Sequence, residues 1–305
     1  MGANSFTHPA LAVSDWGMDA DSASAILFPG QGVGDPSSRE AVADLRPDLL
    51  GLAVELVGED PFERMAEGTA YAQPAVYCAS IAGYERFGRS SAEYFAGHSL
   101  GEVSALAAAG AIEDADGLRI VVARGRVMAD AASAGEPGGM LAVGTDRDRA
   151  EELAAEHDLT LANENSPQQF VLSGPLARIE EAERAAKGSG VRAKKLAVAG
   201  AFHTEAMACG VEAFRAELDE IEFDAPDAPV ISSTKADFFP DDPRDALAAS
   251  LVSPIRWTSV LAKLKELGVR RYLDVGPGKV LAGLVKRTLA DSDVEIVSNR
   301  ESALA

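Results

Sequence analysis

The chain has 305 residues, 47% of them hydrophobic, which is enough to bury a sizeable core in one large domain or two unequal ones. Its 48 Asp and Glu outnumber 28 Lys and Arg, for a formal net charge of −20. That balance argues against nucleic acid or an anionic membrane as the main partner.

Residues 1–23 are rich in Ser, Asp, Ala and Gly and read as a loose leader. No Lys or Arg precedes Arg39, so the chain lacks the basic start of a signal peptide, and no apolar run approaches the ~20 residues of a membrane helix. Cys78 and Cys209 are far apart and build no disulfide framework, which suits a reducing, cytoplasmic setting. No CxxC or HExxH occurs, and no metal is expected. Ala25-Ile26-Leu27-Phe28 reads as a buried strand stopped by Pro29-Gly30-Gln31-Gly32. Residues 39–66 and 74–88 read as helices. A strand at 92–96 then runs through Gly97-His98-Ser99-Leu100-Gly101 into a strong helix former at 102–109, and a further helix near 114–132 carries Arg124-Gly125-Arg126. Strands alternating with helices predict an α/β core around a parallel sheet.

The texture changes at Gly135-Glu136-Pro137-Gly138-Gly139. Beyond it come a strand at 140–143, a helix at 146–157, strands at 159–163 and 169–173, a helix at 175–187 and a strand at 191–198. That is the ferredoxin-like order, read as a small domain at 136–198 inserted into a large domain of 24–135 and 199–305. The large domain resumes with a helix at 204–220, a strand at 229–233, a helix at 257–267, a strand at 271–275 and a helix at 279–290.

Gly97-His98-Ser99-Leu100-Gly101 is a G-x-S-x-G pentapeptide with a strand before it and a helix after it, the context of a nucleophile elbow. Such a turn lifts the Ser99 hydroxyl out of the sheet beside a helix N-terminus, where backbone N–H groups can stabilise an oxyanion. The serine needs a base. His8 lies in the leader and His157 ends a surface-type helix, whereas His98 sits within the elbow as a site wall. His203, in Gly200-Ala201-Phe202-His203-Thr204 at a helix start, is the best candidate. On these residues alone a serine hydrolase and an acyltransferase both remain open, as does a non-catalytic binding module.

Four segments carry a family resemblance in order and spacing: Phe28-Pro29-Gly30-Gln31-Gly32, Gly97-His98-Ser99-Leu100-Gly101-Glu102, Arg124-Gly125-Arg126 and Gly200-Ala201-Phe202-His203. Over residues 25 to 290 the chain resembles malonyl-CoA:acyl-carrier-protein transacylases and the acyltransferases of polyketide synthases. The resemblance implies an α/β-hydrolase-like large domain with a ferredoxin-like insertion. It makes Ser99 the acyl nucleophile, His203 its general base and acid, and the backbone N–H groups of Gln31 and Leu100 the oxyanion hole. Arg124 would hold the free carboxylate of a malonyl group, a task that suits a planar guanidinium fork. In the family a backbone carbonyl near an Asn/Ser-Pro-x-Gln/Arg-Trp segment orients the histidine. Ser253-Pro254-Ile255-Arg256-Trp257 is the matching segment here, with Arg256 at the matching position, and Asn163 matches a cleft-lining segment of the small domain.

No bound cofactor is implied. Malonyl-CoA is the implied substrate and an acyl carrier protein the implied partner, served by a monomer in fatty acid or polyketide biosynthesis. Phe202 resembles the residue of malonyl-selective members and Leu100 points the same way. Residues 256–287 hold eight Lys and Arg against two acids, predicting a basic docking face that includes Lys286 and Arg287, with Lys194 and Lys195 nearby. After Gln31-Gly32 the chain reads Val33-Gly34-Asp35-Pro36-Ser37 instead of the family's usual Ser-Gln, which is compatible with a discrete acyltransferase of a secondary-metabolite pathway.

Overall fold

A computed structural model describes residues 23–32 and 36–298. The expected leader up to residue 22, with His8, and Val33, Gly34 and Asp35 of the divergent loop lie outside the described residues. The chain opens on β1 (Ala23–Phe28). Ala25 and Leu27 pack into one apolar cluster while Ile26 and Phe28 pack into another, so β1 is buried on both faces. This explains its unbroken apolar run, the mark of a central strand in a parallel sheet.

The helix expected over 39–66 is two helices, α1 (Ser38–Leu45) and α2 (Pro47–Val57). Pro47 disfavours helical backbone at Arg46 and starts the second helix itself. A 3₁₀ turn at Met65–Glu67 leads into α3 (Thr69–Arg86), which starts five residues before the expected 74. Pro74 looks like a helix start in the sequence but lies in the second turn of α3. Next come β2 (Tyr94–Gly97), α4 (Gly101–Ala108) and α5 (Asp114–Ala134).

Residues 138–195 form β3 (Gly138–Gly144), α6 (Arg147–Glu156), β4 (Thr160–Ser166), β5 (Gln169–Pro175), α7 (Leu176–Gly188) and β6 (Arg192–Lys195). The strands make an antiparallel sheet in the order β4-β5-β3-β6, the ferredoxin-like arrangement. β6 ends at Lys195 rather than 198: Leu196 N–H still donates to Met140 O of β3 at 2.9 Å, and Leu196 to Val198 line a cleft.

The chain continues through a 3₁₀ turn (Glu205–Met207), α8 (Ala208–Asp219), β7 (Val230–Ser232), β8 (Asp237–Phe238), α9 (Arg244–Ala249), α10 (Trp257–Glu266), β9 (Val269–Asp274), α11 (Val280–Thr288) and β10 (Glu295–Ser298). The large sheet has the order β10-β9-β1-β2-β7-β8 and is parallel except for its last pair. Helices α3, α4, α5 and α8 cover one face, and α10 and α11 the other. The small sheet is joined to the segment before α10 by main-chain hydrogen bonds: Ile255 N–H donates to Ala162 O at 2.8 Å and Glu164 N–H to Ile255 O at 2.8 Å. Phe28 pairs with Gly97, so the turns that follow β1 and β2 emerge side by side at the C-terminal edge of the sheet, where ligands bind in open α/β folds. Among the described residues no helix is long and apolar enough to cross a membrane, and no cluster of His, Cys, Asp and Glu is placed to hold a metal ion.

Candidate active site

The turn between β2 and α4 places Ser99 at φ +53°, a left-handed conformation that is costly for a residue with a side chain. Its flanking glycines are steric requirements. A Cβ on Gly97 would lie 1.9 Å from the Gly101 carbonyl carbon, and one on Gly101 would lie 2.1 Å from Phe28 O. The second contact presses the elbow onto the end of β1, so neither glycine can be replaced without opening the junction. Leu100 caps the N-terminus of α4, next to Ser99, and is fully buried, outside the residues that line the cleft. Gln31, in the turn after β1, lines the cleft beside Ser99.

Ser99 Oγ–H donates to His203 Nε2 at 2.9 Å. His203 Nδ1–H donates to two backbone carbonyls, Ser250 O at 2.9 Å and Ser253 O at 3.1 Å. Those acceptors fix the tautomer and leave the Nε2 lone pair facing the serine. Burial first, and then the Arg124 guanidinium, push the His203 imidazole down to about 3, so it rests neutral and ready to accept a proton.

Arg124 projects from α5 and is almost wholly buried. Its Nη2 donates to Ser99 Oγ at 3.2 Å and its Nη1 to Gln73 Oε1 at 2.9 Å. Among the described residues no carboxylate pairs with it within 4.0 Å. Burial lowers it to about 10, with the more distant Glu102 carboxylate pulling the other way, so it stays cationic at neutral pH. A buried, unpaired guanidinium is expensive unless a ligand brings the missing anion.

These groups line a cleft of about 370 Å³ between the two sheets, together with His98, Asn163, Phe202, Lys194 and Lys195. His98 packs against the Trp257 ring at 5.4 Å and donates from Nε2 to Asn165 Oδ1 at 2.8 Å, which makes it a wall rather than the base. Phe202 is both buried and cleft-lining. Its ring lies 2.5 Å from where a Gly200 Cβ would be, so glycine there lets the ring seat.

Several expected positions fall elsewhere. Arg256 is exposed and outside the cleft. Its backbone N–H is tied to Ser233 O at 2.7 Å, and the carbonyls that hold His203 come from Ser250 and Ser253 upstream. Lys194 and Lys195 belong to the cleft itself, with Lys195 paired to Glu180 at 2.9 Å. Lys286 lines a separate groove between α11 and β10, while Arg287 donates to Gln169 Oε1 at 3.3 Å. The basic run of 256–287 is partly neutralised by acids from outside it: Lys263 pairs with Asp237 at 3.1 Å and Arg271 with Glu295 at 3.1 Å.

Three site residues escaped the sequence reading. Thr69 and Gln73 meet the site from the first turns of α3, and their i, i+4 spacing is the signal that they share a helix face. Glu102 is buried beneath the elbow, where Oε1 accepts from Ser233 N–H at 2.6 Å, Ser233 Oγ–H at 3.0 Å and Ser232 Oγ–H at 3.1 Å. It clamps the end of β7 to the start of α4, and burial raises its carboxyl against those hydrogen bonds.

Comparison with known proteins places this geometry in a family. A model described as acyl transferase domain matches residues 47–302. The malonyl CoA-acyl carrier protein transacylase of Bacillus subtilis strain 168 is 37% identical over 301 residues, covering 90% of this chain and 94% of that protein. The polyketide biosynthesis protein ThaF of Burkholderia thailandensis is 38% identical over 282 residues, which cover 87% of this chain but only 24% of that longer protein. The crystal structure of a malonyl-CoA:acyl carrier protein transacylase from Xanthomonas oryzae superposes with a TM-score of 0.83 at 32% identity, covering 93% of this chain and 98% of that one.

Two outcomes follow from the geometry. Ser99→Gly and Ser99→Ala both lose the hydroxyl, but only glycine tolerates the turn, so the glycine variant should be the more stable by about 1 kcal/mol in urea unfolding. Equal stability would contradict the strain at Ser99. The depressed His203 also sets a sign. As pH falls from the ordinary value of 6.5 toward about 3, the unfolded chain takes up a proton that the folded one refuses, so stability contributed by neutral His203 is present above that window, falls through it and stays lost below it. NMR titration should find its ring neutral at about pH 5; a midpoint near 6.5 would contradict the buried cradle.

Proposed function

The chain belongs to the acyl transferase family, and on that premise we propose that it moves a malonyl group from malonyl-CoA, through an ester on Ser99, to the phosphopantetheine thiol of an acyl carrier protein. The activity is that of an [acyl-carrier-protein] S-malonyltransferase, in fatty acid or polyketide biosynthesis. One observation carries the reading. A buried guanidinium without a carboxylate partner among the described residues donates a hydrogen bond to the candidate nucleophile. A plain hydrolase elbow has no use for that charge, whereas a malonyl thioester brings the missing carboxylate and sets its carbonyl beside Ser99.

The chemistry is a two-step exchange. His203 Nε2 takes the Ser99 proton as Oγ attacks the thioester carbonyl. Backbone N–H groups of Gln31 and Leu100 hold the oxyanion of the tetrahedral intermediate, an interaction that strengthens only as the charge develops. The intermediate collapses, the C–S bond breaks, and the proton on His203 passes to the departing CoA sulfur. In the second half the carrier's thiol gives its proton to His203 and attacks the ester. Ser99 leaves as the alcohol with the proton returned. The two carbonyls on Nδ1 do the work of orientation that a third, acidic residue does in other serine enzymes.

Phe202 is the proposed selector for malonyl over its α-methyl homologue, since its ring occupies the space beside the acyl group; one methyl is worth ~1–3 kcal/mol of discrimination. Asn163 and His98 wall the acyl and thiol path. Lys194 and Lys195 at the cleft, with Lys286 and Arg287 on α11, are the proposed landing charges for an acidic carrier protein, acting locally against an acidic net charge. Every group in the reading comes from one chain, so a monomer suffices.

Intact-mass spectrometry tests the reading. Mixed with malonyl-CoA, the protein should gain a malonyl ester of about 86 daltons on its nucleophile, and Ser99→Ala should gain none. Arg124→Ala should lose acylation by malonyl-CoA far more than by acetyl-CoA, by roughly a hundredfold for a buried charge-assisted contact. Equal loss with both donors would remove the carboxylate role.

A further inference from the structure

We propose that Thr69 and Gln73 are positioning residues that tie the Arg124 guanidinium to the oxyanion donor at Gln31; the proposal rests on the acyl-transfer reading above. Four side chains form one unbroken hydrogen-bond chain. Arg124 Nη1 donates to Gln73 Oε1 at 2.9 Å, Gln73 Nε2 donates to Thr69 Oγ1 at 2.7 Å, and Thr69 Oγ1–H donates to Gln31 Oε1 at 2.7 Å.

The direction of this chain is set from its Arg124 end and runs in one sense to Gln31. A guanidinium has donors only, so Gln73 must turn its carbonyl oxygen to Arg124. Its amide NH₂ then faces Thr69 and occupies an acceptor site on that hydroxyl. The hydroxyl proton is left to point at Gln31. The cation at one end thus orients every dipole down to the turn after β1, and linked dipoles of one sense strengthen one another at low dielectric. Gln73 is 0% exposed and Thr69 5%, so water does not compete for these bonds.

A second observation fixes the two ends in register. A Cβ on Gly125 would lie 2.9 Å from Thr69 O and 3.1 Å from Ala70 Cα. The start of α3 therefore lies against α5 one residue beyond Arg124, an approach that only glycine allows, and the chain cannot slacken by sliding of the helices. At its other end, Thr69 is the hydrogen-bond partner of the Gln31 side chain among the described residues. The backbone N–H of Gln31 belongs to a turn with no strand or helix to hold it, and the Thr69 contact anchors that turn from the core side.

An oxyanion donor acts in the transition state, so releasing it lowers the rate of acylation and leaves substrate affinity nearly alone. Single-turnover acylation of the full chain by malonyl-CoA separates the two quantities. Thr69→Val keeps the shape and removes the hydroxyl; it should slow the maximal rate by roughly tenfold to a hundredfold with a half-saturating concentration close to wild type. Thr69→Ser restores the hydroxyl and should recover most of the rate, which a packing defect would not do. Gln73→Met also frees Arg124, so it should both slow acylation and raise the half-saturating concentration. A wild-type rate in Thr69→Val, a Thr69→Ser variant as slow as Thr69→Val, or a loss confined to half-saturation would each overturn the relay. A wild-type protein that takes no malonyl group would instead overturn the acyl-transfer reading and the relay with it.

Discussion

The contact of Gly101 with the carbonyl of Phe28 is the constraint around which the rest is arranged. It locks the elbow onto the end of β1 and leaves Ser99 no backbone freedom, so the hydroxyl points out of the sheet at a fixed place. Each neighbour then has one job. β1 ends in the turn that carries Gln31, α5 brings Arg124 from the side, and β7 is held to α4 by the buried Glu102 carboxylate. The strain at Ser99, of order 1–3 kcal/mol for such a conformation, is sustained because the surrounding packing over-determines it.

Two buried ionisable groups, the cationic Arg124 and the neutral His203, give the site its chemical character, and they work by what they lack. Arg124 has no carboxylate partner among the described residues, so the site carries positive charge beside the nucleophile. That charge suits the anionic acyl group proposed above and adds to burial, the larger cause, in holding the nearby imidazole neutral. His203 in turn has backbone carbonyls where other serine enzymes place an acid. Two dipoles orient the ring without adding a full negative charge that would compete with a substrate carboxylate for Arg124. The small sheet enters through its main-chain bridge to Ile255, which joins the strand bearing Asn163 to the segment whose Ser253 carbonyl holds His203.

Features set by local sequence were legible in the chain. The elbow, the unbroken apolar run of β1 and the ferredoxin-like order all follow from neighbours a few residues apart. His203 was the best of four histidines on position alone, but its pairing with Ser99 and the proposed role of Arg124 came from resemblance, because sequence distance says nothing about a 104-residue separation closed to 2.9 Å. Thr69 and Gln73 were missed because Pro74 imitates a helix start, which left both residues in an imagined loop. Resemblance led to the segment that holds His203, since the Ser253 carbonyl lies within Ser253-Pro254-Ile255-Arg256-Trp257, but not to Ser250 before it, because every residue has a carbonyl and none signs itself in the sequence. The basic run of 256–287 looked continuous only because Asp237 and Glu295, which neutralise part of it, lie outside that stretch. The short elements β8, α9 and β10 went unread for want of a periodic pattern long enough to see.

The proposed function makes Ser99 a relay between two thiols rather than a step toward water, and the partition of its ester tests that most directly. Protein carrying the malonyl ester, freed of CoA, is divided and followed by mass with and without a phosphopantetheinylated acyl carrier protein. The account predicts that the ester persists alone and moves to the carrier's thiol when the carrier is added. Release of free malonate at the same rate in both samples, with none on the carrier, would contradict it.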